Sequence, residues 1–235
     1  MNRYRSPNFN QRPTKDIKYL ILHYTGMATG KEALERLCDE GSAVSAHYLI
    51  EEDGEVLSLV DEDNRAWHSG LSKWENNTDI NGLSIGIEIV NTGHPYPGYE
   101  SVYRPFPDVQ MNSVVKLSQE IIARHNIKPW HVLGHSDVAW QRKIDPGELF
   151  NWQYLAKEGI GLWPQTNYNS KKTEINSKDF LKKMAIFGYD VEGSEEEHVK
   201  IISAFQRHYR QINIDGVLDG ETVLMLDYLL DAKAS

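Results

Sequence analysis

The polar stretch at residues 134–147 carries three side chains whose types suit hydrolytic chemistry: His135, Lys143 and Asp145. The residues before it, 130–133, are mainly of β type, and the glycine that follows them is expected to end a strand. The stretch closes in an Asp-Pro-Gly turn, which can aim a side chain back at a site because proline fixes φ and glycine tolerates φ > 0. An imidazole, an ammonium and a carboxylate on one loop restrict the reactions that this loop could support to a few.

Two further polar side chains belong to apolar segments. His23 comes near the end of the apolar run at 17–24, which predicts a buried strand. Because rigid elements hold ligand geometry well, this position suits a ligand; a hydrogen-bonded core histidine is the common alternative. Glu88 lies in a second apolar segment, 83–90, among isoleucines.

The segment around Glu88 has two different faces. Residues 85, 87 and 89 are isoleucines, whereas 84, 86 and 88 are serine, glycine and glutamate. A carboxylate is costly to bury without a partner. The small polar face therefore predicts the floor of a cleft, with a solvent-facing strand surface as the alternative.

If these strands end at one edge of a sheet, their side chains form an amide-hydrolysis site. His23, His135 and Asp145 would hold a zinc ion and leave its fourth position for water. Zinc lowers the pKa of that water and polarises a bound carbonyl. Glu88 would take the proton of the water and pass one to the leaving amine, and Lys143 would stabilise the oxyanion.

Nine histidines allow other assignments. His131 is the main competitor, because residues 131 and 135 would share one face of a continuous strand. We favour His135, since the glycine before it is expected to break that register. The histidines expected on loops or helix faces are predicted to be solvated: His94, His125, His198 and His208.

The elements that must position these residues alternate between helices and strands. Helical spacing predicts helices at 31–40 and 111–125, and a short one from 151. The segments 45–51 and 55–60 flank an Asp-Gly pair, which predicts a β-hairpin. A later loop carries Trp67 and His68 and suits sugar or peptide contact, with a packed loop tryptophan as the alternative.

The C-terminal part of the chain has a different pattern. Residues 165–177 form a polar stretch that predicts a linker. Three helices are predicted beyond it, at about 178–187, 195–209 and 220–231, and together they suggest a small bundle. The apolar face of the second helix is expected to comprise Val199, Ile202, Phe205, Gln206 and Tyr209.

Composition excludes several classes of protein. The net charge of −9, without a basic block, argues against nucleic acid as a partner. The single cysteine, Cys38, excludes an internal disulfide framework and a cysteine-rich zinc finger. No apolar run approaches the roughly 20 residues that span a membrane.

Residues 1–16 have no apolar core of a signal peptide and predict an extended arm or a disordered tail. The protein therefore either stays inside the cell or acts in the periplasm or envelope, with a leader that lies outside this sequence. The sequence leaves both compartments open.

Several motifs together resemble a known family. They are SPNFNQRP, ILHYT, SAHYLI, IGIEIVN and GHSDVAWQRKIDPG, and the likeness covers most of residues 6–160. The chain resembles the zinc-dependent N-acetylmuramoyl-L-alanine amidases, which share a fold with animal peptidoglycan recognition proteins and phage amidase lysozymes. The resemblance implies an α/β fold with a central mixed β-sheet flanked by helices.

The resemblance also implies roles for individual residues. One zinc ion would be held by His23, His135 and Asp145, with Glu88 and Lys143 catalytic. The residues implied in substrate contact are His47, Trp67 and His68.

Two departures from the family pattern stand out. Trp140-Gln141 replaces a Pro-Gly pair that is frequent in relatives, which changes the loop without changing its ligands. Ala46 stands where phage members carry a tyrosine, so Glu88 is the main acid-base candidate.

The C-terminal segment is similar to peptidoglycan-binding three-helix modules through its AFQ and DGVLDGET motifs. The implied organisation is a catalytic domain at 1–164, a linker at 165–177 and an all-α binding module at 178–235. Such a module raises the effective concentration of the enzyme at polymeric wall.

The expected activity is hydrolysis of the amide between N-acetylmuramic acid, or its 1,6-anhydro form, and L-alanine, in cell-wall turnover or recycling. The alternatives are a non-catalytic peptidoglycan-recognition module and a zinc hydrolase of some unrelated amide. The complete ligand set argues against the recognition module.

Overall fold

The computed structural model describes residues 2–164 and 175–235. Its centre is a six-stranded mixed β-sheet. The strands in chain order are β1 (Asn2–Arg3), β2 (Phe9–Gln11), β3 (Tyr19–Tyr24), β4 (Tyr48–Ile50), β5 (Val56–Ser58), β6 (Asn64–Ala66), β7 (Ser84–Ile89) and β8 (Val132–Gly134). The small antiparallel pair β2–β6 stands apart from the sheet.

The sheet has the order β1-β5-β4-β7-β3-β8. Only the β4–β5 hairpin is antiparallel; β4, β7, β3 and β8 run parallel to one another. The two longest strands, β3 and β7, lie at the middle and are almost entirely buried. Because these four strands point the same way, their carboxyl ends meet at one edge of the sheet.

Helices cover both faces of the sheet. Their bounds are α1 (Gly30–Cys38), α2 (Ile80–Leu83), α3 (Asp108–His125), α4 (His135–Val138), α5 (Trp152–Lys157), α6 (Ser177–Phe187), α7 (Glu195–Tyr209) and α8 (Gly220–Ala234). The core on one face joins α3 and α5 to strand residues such as Leu22 and Ile87. The central mixed sheet with flanking helices confirms the predicted fold class.

The three C-terminal helices share a hydrophobic core with the sheet. Phe187 and Phe205 belong to the same buried cluster as Tyr19, Ile21 and Leu133 of the strands. Trp140, one of the departures from the family pattern, is buried in that cluster, and its indole nitrogen donates to the backbone oxygen of Asp190 at 2.8 Å. The predicted linker lies mostly outside the described residues.

Local predictions differ in how they compare with the structure. The N-terminal arm contributes two short strands and one buried arginine to the fold, which agrees with the extended-arm alternative and not with a disordered tail. Two other predictions were wrong. Val199 is 50% exposed, because the apolar face of α7 turns toward Ile201 and Ile202. His208 was expected in solvent but is almost completely buried.

Among the described residues, no helix combines the length and the apolar character that a membrane span requires.

Candidate functional site

The register of the parallel strands brings the predicted site residues together. His23 of β3 pairs directly with Glu88 of β7. On the other side of β3, Leu22 pairs with Gly134, so His135 follows at the same level. A ligand-bearing edge at the carboxyl ends of parallel strands is the usual place for a site in an α/β sheet. His131 lies in a 3-10 turn before β8, against Tyr19 and Glu75, which removes it as a competitor of His135.

Three potential ligand atoms converge at this edge. His23 Nδ1 lies 3.0 Å from His135 Nδ1 and 3.0 Å from Asp145 Oδ2, and His135 Nδ1 lies 3.1 Å from the same carboxylate oxygen. All three side chains are buried. Ligand atoms about 2.0–2.1 Å from a tetrahedral ion stand about 3.3 Å apart, so this triangle has nearly the size that a bound ion requires. The group could hold a metal ion.

The protonation of His23 follows from its neighbours. Ser84 Oγ donates to the backbone oxygen of Ile80 at 2.7 Å and accepts from His68 Nε2 at 3.1 Å. His68 Nδ1 is therefore an acceptor, and it lies 3.0 Å from His23 Nε2. A neutral His23 that donates through Nε2 presents a bare lone pair at Nδ1.

The tautomer that a neutral His135 would adopt follows in the same way. Its Nε2 lies 3.0 Å from the backbone oxygen of Ser69, which can only accept. A neutral His135 that donates through Nε2 would consequently also present a lone pair at Nδ1. Two lone pairs and a carboxylate pointing at one another would repel, and a cation between them removes that repulsion.

The pKa values in the cluster fit metal ligation. Burial, and then the nearby His135, lower the pKa of His23 to about 4. Burial alone would raise the pKa of Asp145, but in the metal-free protein charge attraction to His135 and hydrogen bonds from the His135 and His23 imidazoles hold it well below its usual range. Neutral imidazole and ionised carboxylate are the forms that bind metal.

His68 supports the cluster from beneath. Burial, and then His23, hold the pKa of its imidazole well below the ordinary value. Its ring lies against β7 at Gly86, where an added Cβ would stand 2.5 Å from the ring. On the small polar face predicted from residues 84, 86 and 88, Gly86 leaves space for the His68 ring and Ser84 accepts a hydrogen bond from it.

Ser69 and Arg142 form the matching support for His135. Arg142 donates to the backbone oxygens of Ser69 and Leu71. Because Ser69 O also accepts from His135, the guanidinium fixes the loop that orients this imidazole.

Glu88 stands beside the cluster as a partly buried carboxyl group. Burial, and then the charge of Asp145, raise its pKa to about 8, and Lys143 opposes this shift. Among the described residues, Oε2 of Glu88 has no hydrogen-bond partner. A carboxyl group with this pKa exchanges protons near neutral pH, which suits acid-base chemistry.

A cavity of about 610 Å³ opens onto the cluster. Its lining includes Glu88, His135, Lys143 and Asp145, together with Trp67 and His68 from the predicted substrate loop. Its far wall is formed by α1 and the loop residues near it: Met27, Ala33, Arg36, Leu37 and Val44.

His47 does not line this cavity. Its side chain is fully buried, accepts from the backbone N–H of Gly86 at 3.0 Å and lies 2.9 Å from Arg12. Burial, and then Arg12, lower the pKa of His47 to about 3. This burial is inconsistent with the substrate contact predicted for His47, which instead belongs to the support under β7.

Sequence reasoning missed the residues that support the cluster. Arg12 enters the core and donates to the backbone oxygens of Glu62, Asn81, Gly82 and Ser84. Ser69, Ser84 and Arg142 act through hydrogen bonds that local sequence patterns do not predict. In the sequence, the only indication of these supporting residues was the place of Ser84 on the small polar face of the 83–90 segment.

Comparison with known proteins identifies the family. Residues 13–148 match the N-acetylmuramoyl-L-alanine amidase family, Amidase_2. The chain belongs to this family. It is also 37% identical over 231 residues to the N-acetylmuramoyl-L-alanine amidase AmiD of Escherichia coli (strain K12), with 92% of this chain and 83% of AmiD covered. The predicted family and enzyme class are confirmed.

Other members of the family are similar over different lengths. The 1,6-anhydro-N-acetylmuramyl-L-alanine amidase AmpD of Haemophilus influenzae is 31% identical over 172 residues, covering 65% of this amidase and 89% of AmpD. The solved complex of E. coli AmiD with anhydro-N-acetylmuramic acid-L-Ala-D-γ-Glu-L-Lys superposes with a TM-score of 0.84 at 33% identity, over 96% of this chain and 98% of that one. AmpDH3 of Pseudomonas aeruginosa superposes with a TM-score of 0.86 at 30% identity, over 95% of both chains. The C-terminal helices are thus part of the fold shared with AmiD and AmpDH3.

Proposed function

We propose that this amidase uses one zinc ion to hydrolyse the amide between N-acetylmuramic acid, in its reducing or 1,6-anhydro form, and the L-alanine of peptidoglycan stem peptides. The observation that carries the proposal is the convergence of two imidazole nitrogens and one carboxylate oxygen beside Glu88. The reaction would serve cell-wall turnover or recycling.

Zinc is the ion that best suits the donor set. Two imidazole nitrogens and one carboxylate oxygen from His23, His135 and Asp145 match the three-ligand catalytic sites of zinc hydrolases. A zinc ion held there supplies Lewis acidity for the amide carbonyl. The other steps of the reaction fall to side chains of the protein.

Glu88 is the proton-transfer group in this proposal. Its carboxylate takes a proton from the attacking water as the new carbon–oxygen bond forms. It then gives that proton to the nitrogen of L-alanine as the carbon–nitrogen bond breaks, so the carboxylate is regenerated. A pKa that burial raises toward neutrality suits both transfers.

Lys143 is the proposed oxyanion group. It lines the cavity two residues before Asp145 and is half-buried. Its ammonium can stabilise the negative charge that develops on the former carbonyl oxygen. Trp67 and His68 border the same cavity and are the proposed substrate-side wall.

The charge of the cavity suits an acidic stem peptide. The peptide bound in the AmiD complex contains D-γ-Glu, whose γ linkage leaves a free α-carboxylate. Arg36 lies in the far wall, and the described residues offer its guanidinium no carboxylate partner. We assign Arg36 to a carboxylate of the stem peptide.

The C-terminal helices are the proposed wall-binding part. The proposed division of the chain is a catalytic part at 1–164, a linker at 165–177 and a helical part at 178–235. The AFQ and DGVLDGET motifs support binding of polymeric wall by the helical part. Sedimentation with insoluble wall tests this binding directly, and failure to sediment would refute it.

Mass spectrometry of defined muropeptides tests the activity. The protein is incubated with reducing and 1,6-anhydro substrates, with a chelator, and with zinc restored. Release of the intact stem peptide that begins at L-alanine, lost with chelator and regained with zinc, is the expected result. No cleavage in any zinc-loaded sample, together with retained wall binding, would refute hydrolysis and favour the recognition module.

A further inference from the structure

We propose that α7 and the residues that flank it, Tyr189 before it and Gln211 after it, position two of the three metal ligands, so that the C-terminal helices support the metal site. This inference rests on the proposed zinc site. The C-terminal part would then do more than bring the enzyme to its substrate. Two separate sets of hydrogen bonds carry the inference.

The first set centres on Asp137, a fully buried carboxylate in α4. Its Oδ2 accepts from the backbone N–H of Gly134 at 2.7 Å and from His208 Nδ1 at 2.7 Å. Its Oδ1 accepts from the Tyr189 hydroxyl at 2.5 Å. One carboxylate thus joins the start of α4 to two residues of the C-terminal part.

The position of Asp137 links this network to a ligand. His135 is the first residue of α4, and Asp137 caps the helix by bonding the residue just before it. The helix has only four residues, so it has little stability of its own. The orientation of His135 therefore depends on the bonds that hold Asp137.

His208 is held firmly enough to serve as an anchor. Its ring stacks between Trp152 at 3.7 Å and Tyr209 at 3.8 Å, measured between ring centroids. The buried surroundings explain why this histidine is not solvated. A donor locked in this way fixes the direction from which Asp137 is held.

The second set holds the segment after Asp145. The side-chain nitrogen of Gln211 donates to the backbone oxygens of Glu148 and Phe150 at 2.8 and 2.7 Å. Arg207 adds an ion pair with Glu148 at 3.8 Å. Residues on one end of α7 thus fix the chain three to five positions beyond the carboxylate ligand.

The two ligand segments are also joined to each other. The backbone N–H of Ser136 donates to the backbone oxygen of Asp145 at 2.9 Å. A displacement of Asp137 or of the 148–150 segment would consequently move both His135 and Asp145.

The test compares zinc affinity with stability in point variants of the full chain. Tyr189→Phe removes one hydroxyl and leaves the ring, and Gln211→Leu removes the second set of bonds. Lys233→Met is the matched control, because Lys233 joins α8 to Glu75 of the sheet side and touches neither ligand segment. Each variant is measured for its zinc dissociation constant, for the visible spectrum of its Co(II) form and for its unfolding temperature.

The ligand-positioning role predicts a change that a loss of stability alone would not cause. Tyr189→Phe and Gln211→Leu should each weaken zinc binding about tenfold, as expected when the support of a ligand is lost, and should alter the Co(II) spectrum. Lys233→Met should lower the unfolding temperature and leave the zinc dissociation constant within about twofold of the wild type.

Two results would overturn the inference. One is a lower unfolding temperature in Tyr189→Phe and Gln211→Leu with unchanged zinc affinity and spectrum. The other is an equal loss of zinc affinity in Lys233→Met. A wild-type protein that binds no zinc would refute the proposed metal site itself, which separates the two failures.

Discussion

Replacing Glu88 by glutamine in the metal-free protein should change how the stability of the fold depends on pH. The pKa of Glu88 rises from 4.5 to about 8 on folding. Folded protein therefore holds a proton on this group between these values, whereas unfolded protein releases it. The free energy of unfolding of the wild type should fall as the pH rises through this window, and glutamine, which does not ionise, removes the effect.

The size of the effect follows from the two pKa values. Each unit of difference corresponds to about 1.36 kcal/mol. Proton release from Glu88 in the unfolded chain should lower the free energy of unfolding of the wild type by about 1 kcal/mol at about pH 5.5 and by about 3 kcal/mol at about pH 7. The advantage of Glu88→Gln over the wild type should therefore grow by about 2 kcal/mol between these conditions.

Urea unfolding in the presence of a chelator measures this difference. His23 and Asp145 titrate in both proteins, so their contributions largely cancel when the two free energies are subtracted. A difference that stays flat from about pH 5.5 to about pH 7 would show that folding does not raise the pKa of Glu88.

The same substitution should abolish most of the activity. The amide of glutamine can neither accept the proton of the water nor return it, so kcat should fall by about 10²–10⁴-fold in zinc-loaded protein. Muropeptide hydrolysis followed by mass spectrometry measures the loss. Retention of more than about a tenth of the wild-type kcat would refute the proton-transfer role.

Three further substitutions test other parts of the site. Asp145→Ala removes one ligand, so metal analysis of the purified protein should find less than one zinc per chain, and full occupancy would contradict the ligand assignment. His68→Phe should weaken zinc binding about 10–100-fold in a chelator competition, because His23 loses the acceptor that fixes its tautomer; unchanged affinity would contradict this. Arg36→Gln should raise KM for muropeptides several-fold at constant kcat, and steady-state kinetics that show equal KM values would remove Arg36 from the substrate wall.

The sequence predicted the strand-borne part of the site because local pattern and chemistry agree there. His23 and Glu88 were detectable since each is a polar residue in an apolar strand, where burial demands a reason. The alternation of residues 84–89 indicated the polar face on which His68 rests. The three C-terminal helices were also placed to within a few residues by their apolar spacing.

The supporting contacts could not be predicted because they join residues that are far apart in the chain. Arg12 bonds backbone groups about 50 to 70 positions away, and His208 meets Asp137 across 71 positions. Helical spacing places His208 on a helix surface and says nothing about what that surface covers. The substrate contact predicted for His47 failed for a similar reason, because a sequence motif gives the type of a residue but not whether its side chain is buried.

The pairing of His23 with Glu88 across two parallel strands separates the proposed metal and proton-transfer groups from the residues proposed to contact the substrate. The spacing of these two groups is set by a backbone ladder in the middle of the sheet, whereas the cavity wall around Arg36 and Tyr96 comes from segments outside that ladder. Insertions or substitutions in the cavity wall can therefore alter which substrate enters without moving His23 and Glu88. Such a division lets one hydrolytic centre be adapted to different wall fragments by changes in loops alone.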